Sequence, residues 1–185
     1  MPNALRSVCV FCGARNGTRP AYTEAARALG ALLAAERWRL VYGAGDVGLM
    51  GEVARAAAAA GADTFGVIPL HLLEREQART DRRGMVVTET MHERKKVMVV
   101  NSDAFVVLPG GAGSLDEFFE VLTWRQLGLH GKPIFLLDID GYWAPLVRLV
   151  EHVVAEGFAE PSLRGFVRSV PDVPALAAEL RAALA

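Results

Sequence analysis

The sequence predicts a doubly wound, mainly parallel α/β sheet with helices on both faces. Short apolar runs alternate along the chain with helical patterns, which is the order of strand–helix–strand units joined by right-handed crossovers. The runs are continuously apolar rather than alternating, as strands covered on both faces require. Two glycine-rich turns follow such runs directly and open helices, at the strand ends where ligands bind in sheets of this kind. The chain has 185 residues, 52% of them hydrophobic, with a formal net charge of -1. That is material for one full core, so residues 1–185 are expected to form a single domain. No repeat, low-complexity tract or linker interrupts it.

In chain order, LRSVCVFC (5–12) is the first strand. It carries Cys9 and Cys12 as C-x-x-C, but positions three apart on a strand point to opposite faces. A redox pair needs its first cysteine at a helix start, and one C-x-x-C cannot complete a zinc site, so two buried thiols are expected. Thr18 is a cap candidate and Pro20 a good first residue for a helix over 20–35. RLVYG (39–43) is the second strand. The alanine-rich VGLMGEVARAAAAAG (47–61) is a helix stopped by Gly61, a natural C′ residue. TFGVIP (64–69) and MVVTE (85–89) are strands on either side of the charged stretch LLEREQARTDRRG (72–84), read as a loop. MHERKKVM (91–98) has a helical pattern, and its charges suit a solvated face. DAFVVLP (103–109), PIFLLD (133–138) and FVRSV (166–170) complete seven strands.

Composition excludes several classes of protein. A near-neutral balance leaves no large cationic face, so nucleic acid is not an expected partner. No stretch approaches the roughly 18 apolar residues that span a membrane, so no membrane association is expected. The opening MPNALRSVCVFCGARNG is a poor signal peptide, which makes the cytoplasm the expected location. The mean hydropathy of +0.24 is high for a small monomer and points to apolar surface shared in a homodimer.

The first glycine turn is YGAGDVGLMG (42–51), in which Gly43, Gly45 and Gly48 match G-x-G-x-x-G. A dinucleotide site also wants an acid near the end of the following strand, and that strand ends Val67-Ile68-Pro69-Leu70. NAD is therefore not expected. Neither turn is followed by Lys-Ser or Lys-Thr, so a P-loop is excluded.

The second turn is LPGGAGSLDEFFEV (108–121). Ser114-Leu115-Asp116-Glu117 reads S-x-x-E, a capping box, which would account for Glu117 without chemistry. It does not account for the preceding run Pro109-Gly110-Gly111-Ala112-Gly113, which suggests backbone N–H groups open to an anion. A sugar phosphate reconciles glycines with acids. Its phosphate would sit on the amides and on Ser114, and its ring would face the carboxylates. A carboxylate beside an anomeric carbon stabilises an oxocarbenium-like transition state or activates water.

Cations for such a ligand stand in Arg94, Lys95 and Lys96, of which Lys96 is assigned to solvent. H-E-R-K-K lacks the second histidine of H-E-x-x-H, and His71, His130 and His152 have no motif around them, so no metal site is expected.

MHERK (91–95), SDAFVVLPGGAGSLDE (102–117), TWRQLGLHGKP (123–133) and DGYW (140–143) together resemble the LOG ("Lonely guy") family of cytokinin riboside 5′-monophosphate phosphoribohydrolases. Similar segments run in the family's order from Val8 to about Leu149, and YGAGDVGLMG resembles the family's first glycine loop. The resemblance implies a Rossmann-like fold, hydrolysis of N6-substituted AMP to free base and ribose 5-phosphate, no metal or redox cofactor, and at least a homodimer. It implies that Arg94 and Glu117 are catalytic. It further implies that Met91 of the M-H-x-R-K motif, Lys95, the turn Gly110, Gly111, Gly113, Ser114 and Asp116, the glycines Gly43, Gly45 and Gly48, and Thr123 serve the substrate. Glu76 matches a substrate-contacting acid by spacing. Ser114 replaces a threonine, Asp116 a glutamate and Ala44 a glycine of the family pattern. Relatives are often labelled "lysine decarboxylase", a reading that would need a pyridoxal-phosphate lysine for which there is no motif.

Two alternatives stay open at the level of sequence. One is a nucleotide-binding carrier similar to molybdenum-cofactor carrier proteins, which would need the glycine turns but not Arg94 with Glu117. The other is a glycosidase acting on AMP or another nucleoside monophosphate.

Overall fold

A computed structural model describes residues 5–73 and 84–185. Seven strands form one sheet: β1 (Ser7–Phe11), β2 (Arg39–Tyr42), β3 (Thr64–Pro69), β4 (Met85–Thr88), β5 (Ala104–Val107), β6 (Ile134–Leu137) and β7 (Val167–Val170). Six α-helices among the described residues connect or follow them: α1 (Pro20–Ala35), α2 (Gly48–Ala59), α3 (Met91–Val100), α4 (Ala112–Gln126), α5 (Ala144–Ala155) and α6 (Val173–Leu184). The strand order is β4-β3-β2-β1-β5-β6-β7, and every pairing is parallel. The chain runs outward from β1 through β4, then returns to β5 on the other side of β1. The order reverses between these two central strands, so a crevice opens at their carboxyl ends. All seven expected strands form; β3 keeps its expected bounds and the others are shorter by one to three residues at their ends.

Each face of the sheet carries its own apolar layer. Val8, Val10, Leu40 and Tyr42 pack under α1, α2 and α6 with Leu29, Leu33, Val53 and Leu180. Cys9, Phe11, Phe105 and Val107 pack under α3, α4 and α5 with Met98, Phe118, Leu122 and Val150. Full burial of each large side chain contributes roughly 1.5–3 kcal/mol against its exposed state. Cys9 and Cys12 are both free thiols and lie in these two opposite layers, as the strand period requires. Burial, with the charge of Glu117 adding to it, pushes the Cys9 thiol well above its ordinary range. It is a packed hydrophobe rather than a nucleophile.

One expected cap is displaced. The residue before α1 is Arg19, with no side-chain cap, so Thr18 stands one position too early. Proline at the first helical position explains why none is needed, since it removes one of the amides a cap would satisfy.

Candidate active site

A cavity of about 470 Å³ lies in the crevice at the carboxyl ends of β1 and β5. Gly13, from the loop after β1, forms one side; its N–H donates to Pro109 O at 3.0 Å and ties the two central loops together. The second glycine turn and the start of α4 form the opposite wall through Gly110, Gly111, Gly113 and Ser114.

Here α4 begins earlier than the sequence suggested. Its N-cap is Gly111, which makes no side-chain cap, and its first helical residues are Ala112, Gly113 and Ser114. The capping-box reading of Ser114 and Glu117 is therefore corrected. The glycine run bends into the helix by itself, and Ser114 already sits at the third helical position. A reciprocal box does form at the start of α3, where Thr90 and Glu93 bond each other's backbone amides. This leaves Glu117 without a capping duty.

The first turn of an α-helix offers amide N–H groups with no partner inside the helix, together with the positive end of the dipole. The Ser114 hydroxyl stands among them. Ser114 is 2% exposed, and its Oγ has no hydrogen-bond partner among the described residues. A buried hydroxyl left unpaired costs about 1–3 kcal/mol, so a bound group that meets it recovers that cost. Gly110 makes the approach possible: a Cβ there would lie 2.0 Å from Ser114 Oγ.

One turn further along α4, Glu117 is buried and lines the same cavity. Arg94 reaches it from α3, also buried. Its Nε donates to Val67 O at 3.1 Å and its Nη2 to Gly43 O at 3.0 Å, while Nη1 lies 3.9 Å from Met91 Sδ. A carbonyl within β3 and one just after β2 thus hold the guanidinium plane. Met91, from the first residue of α3, also faces the cavity.

Leu49 and Met50 of the first glycine turn line the cavity, whereas Gly43, Gly45 and Gly48 are not among its lining residues. A Cβ on Gly43 would come within 1.8 Å of Arg94 Nη2, so the glycine makes room for the guanidinium. The Gly45 amide donates to Met50 Sδ at 3.2 Å. Gly48 adopts φ 55°, with a would-be Cβ 2.3 Å from the backbone of Ala14 and Arg15. Ala44, where the family pattern has glycine, holds φ 63° and is buried.

Lys95, Asp116 and Thr123 are outside the cavity lining. Lys95 Nζ donates to Asp116 Oδ2 and pairs with Glu120 Oε2, each at 3.0 Å. Burial works against its charge, but the hydrogen bonds to Glu120 and Asp116 outweigh it and hold the ammonium above its ordinary value. Asp116, Glu120 and Thr123 are spaced four and three apart, so they share one face of α4. Glu76 lies outside the described residues. Among the described residues, no group of three or more histidines, cysteines or acids could hold a metal, and no helix is long and apolar enough to cross a membrane.

Sequence reasoning assigned no role to Tyr22 and Tyr142, whose rings also line the cavity, 5.5 Å apart and edge to face. The signal for Tyr142 was present in DGYW, but nothing in its spacing aims that tyrosine at a glycine turn far away in sequence.

Residues 50–180 match the family model described as "Possible lysine decarboxylase". A probable cytokinin riboside 5′-monophosphate phosphoribohydrolase of Oryza sativa subsp. japonica is 47% identical over 176 residues, covering 95% of this chain and 78% of the relative. The chain belongs to the LOG family. A LOG relative from Arabidopsis thaliana, named as a cytokinin riboside 5′-monophosphate phosphoribohydrolase, is 42% identical over 178 residues, covering 96% of this chain and 78% of the relative. Among solved structures, a molybdenum cofactor carrier protein from Chlamydomonas reinhardtii superposes with TM-score 0.76 at 22% identity, covering 98% of this chain and 99% of that one. A molybdenum cofactor binding protein from Rippkaea orientalis gives TM-score 0.74 at 20% identity, with 99% of each chain covered. These two likenesses establish the Rossmann-like fold that this LOG chain shares with them.

Proposed function

We propose that this chain hydrolyses the N-glycosidic bond of an N6-substituted AMP, a cytokinin riboside 5′-monophosphate, releasing free base and ribose 5-phosphate. The observation that carries the reading is the pairing, in one cavity, of an unpartnered buried hydroxyl at a helix start with a buried glutamate one turn along. One turn advances about 5.4 Å, the scale of a ribose ring. The 5′-phosphate sits on the first-turn amides of α4 and on Ser114. The anomeric carbon then faces Glu117.

As the bond to the base nitrogen breaks, its electron pair leaves with the base, which takes up a proton. Positive charge develops on the sugar, where the Glu117 carboxylate stabilises it or takes a proton from the attacking water. Water supplies the hydroxyl at the anomeric carbon. Arg94 is oriented by Val67 O and Gly43 O before substrate arrives, so it holds the substrate or Glu117 without reorganising. Lys95 joins α3 to α4 through Asp116 and Glu120, which sets Arg94 against Glu117 and makes it a positioning residue. The reaction is redox-neutral and calls for no electron-transfer cofactor. The same reading takes the chain as one nucleotide-binding domain working in the cytoplasm.

The test is incubation with a panel of nucleoside monophosphates and nucleosides, with detection of free base. The N6-substituted monophosphate is expected to exceed its riboside in kcat/KM by on the order of 10²-fold or more, because the phosphate anchors the transition state remotely from the breaking bond. Equal turnover of the two would sink the assignment of the glycine turn. Plain AMP turned over best would place the enzyme among general nucleoside-monophosphate glycosidases.

A homodimer belongs to the same proposal. Most of MVVNSDAFVV (98–107) is buried against its own sheet, but Val100 is exposed. Phe119, Thr123 and Leu127 recur every four residues on the outer face of α4, with Leu129 beyond, and all are exposed. Sedimentation at micromolar concentration is expected to show a dimer; a stable monomer refutes this part.

A further inference from the structure

Resting on the phosphate site just proposed, we infer that Tyr142 is a positioning residue that locks the Gly110–Gly111 peptide with its N–H toward the substrate phosphate. A glycine turn serves an anion only while its amide hydrogens face in and its carbonyls face out. Glycine makes that orientation insecure, since without a Cβ either hand of the backbone is accessible and a peptide can flip. A flip between Gly110 and Gly111 would present a carbonyl oxygen to the phosphate in place of an N–H.

The structure places a donor on three carbonyls at the end of β5 and the start of this turn. Val107 O accepts from Trp143 Nε1 at 3.1 Å, and Pro109 O accepts from the Gly13 amide at 3.0 Å. Gly110 O accepts from the Tyr142 hydroxyl at 2.6 Å. In a trans peptide the carbonyl and the following N–H point opposite ways. Tyr142 therefore holds the Gly111 N–H on the side away from its own hydroxyl. Ser114 Oγ lies near enough to exclude any side chain at Gly110.

The tyrosine is itself well placed. Asp140 and Gly141 both take positive φ, 54° and 72°, and throw the chain after β6 back over the turn. Trp143 anchors that reversal: its backbone N–H donates to Asp138 Oδ1 at 2.5 Å, and its ring meets that of Tyr142 at 4.8 Å. Tyr22 meets Tyr142 on another side at 5.5 Å. Edge contacts with two other rings restrict the Tyr142 ring, which is 36% exposed, and help keep its hydroxyl on one acceptor.

Tyr142→Phe keeps these ring contacts and removes only the hydroxyl. For the monophosphate substrate we expect KM to rise on the order of 10-fold, with kcat within about 2-fold, the size of one lost hydrogen bond to the anchoring turn. For the corresponding riboside, which has no phosphate, the loss in kcat/KM should be much smaller than for the monophosphate. Binding of ribose 5-phosphate by calorimetry should weaken by the same factor as KM rises. Equal KM in the two proteins overturns the inference. So does an equal loss on monophosphate and riboside, which would mark a general structural role. The wild-type protein separates this from the broader reading. If it binds ribose 5-phosphate but releases no base, the glycosidase reading fails and the binding ratio still tests Tyr142. If it binds no ribose 5-phosphate, the turn is not an anion site and the inference falls.

Discussion

Glu117→Gln lowers kcat by on the order of 10²-fold or more and leaves the protein folded. The substitution keeps the size and shape of a side chain that is buried and lines the cavity. It removes only the negative charge. A carboxylate that faces a developing oxocarbenium ion in a water-poor site acts mainly in the transition state, so the loss appears in kcat rather than in KM. The fold should persist, because the amide keeps the volume of the side chain and still offers an oxygen for hydrogen bonding. Steady-state kinetics and a urea melt check both parts. Near-normal kcat in a folded Glu117→Gln protein would remove the glutamate from the chemistry. It could no longer be reassigned to a helix cap, because α4 begins at Ala112 with Gly111 as its N-cap.

Arg94→Ala costs both activity and stability, and the two losses distinguish it from Glu117→Gln. Arg94 is 4% exposed and donates to Val67 O and to Gly43 O. Truncation leaves two buried carbonyls without this charged donor, at about 1–3 kcal/mol each, beside a cavity where the side chain was. A urea midpoint lowered by the equivalent of about 2–5 kcal/mol is expected, with kcat down on the order of 10²-fold or more. Arg94→Lys does not rescue it, since a point cation cannot reach two carbonyls as a planar fork does. If Arg94 and Glu117 act as one unit, the double variant should be little slower than the slower single variant. A wild-type urea midpoint in Arg94→Ala would show that Val67 O and Gly43 O do not depend on the guanidinium.

Elements with one strong local signal are legible in the amino-acid sequence. Each apolar run forms a strand, Pro20 opens its helix and Gly61 follows the end of α2 at φ 87°. The glycine run before α4 points to an anion site, and a cavity wall forms there. Misreadings arise where two local rules compete for one stretch. Ser114-x-x-Glu117 satisfies the capping pattern as well as Thr90-x-x-Glu93 does, and only the second is a box. A flexible glycine run can enter a helix early, and nothing in the four-residue spacing reveals that it does.

The sequence by itself determined the class of fold and the order of its elements, which follow from periodicity and from punctuation by glycine and proline, all of them local. Arg94 and Glu117 became candidates for the chemistry through the resemblance of their motifs to the LOG family. The tertiary structure alone decided what each glycine is for. Gly43 lies far from Arg94 in sequence, yet it is the guanidinium that forbids a side chain there. Likewise, Lys95 neighbours Arg94 in the chain but turns to Asp116 and Glu120, because successive positions on a helix point about 100° apart. The placement of Tyr142 on Gly110 depends on β6 lying beside β5 in the sheet. Contacts of this kind are set by strand order and helix packing, and a linear pattern carries no record of which distant loops will share one edge of a sheet.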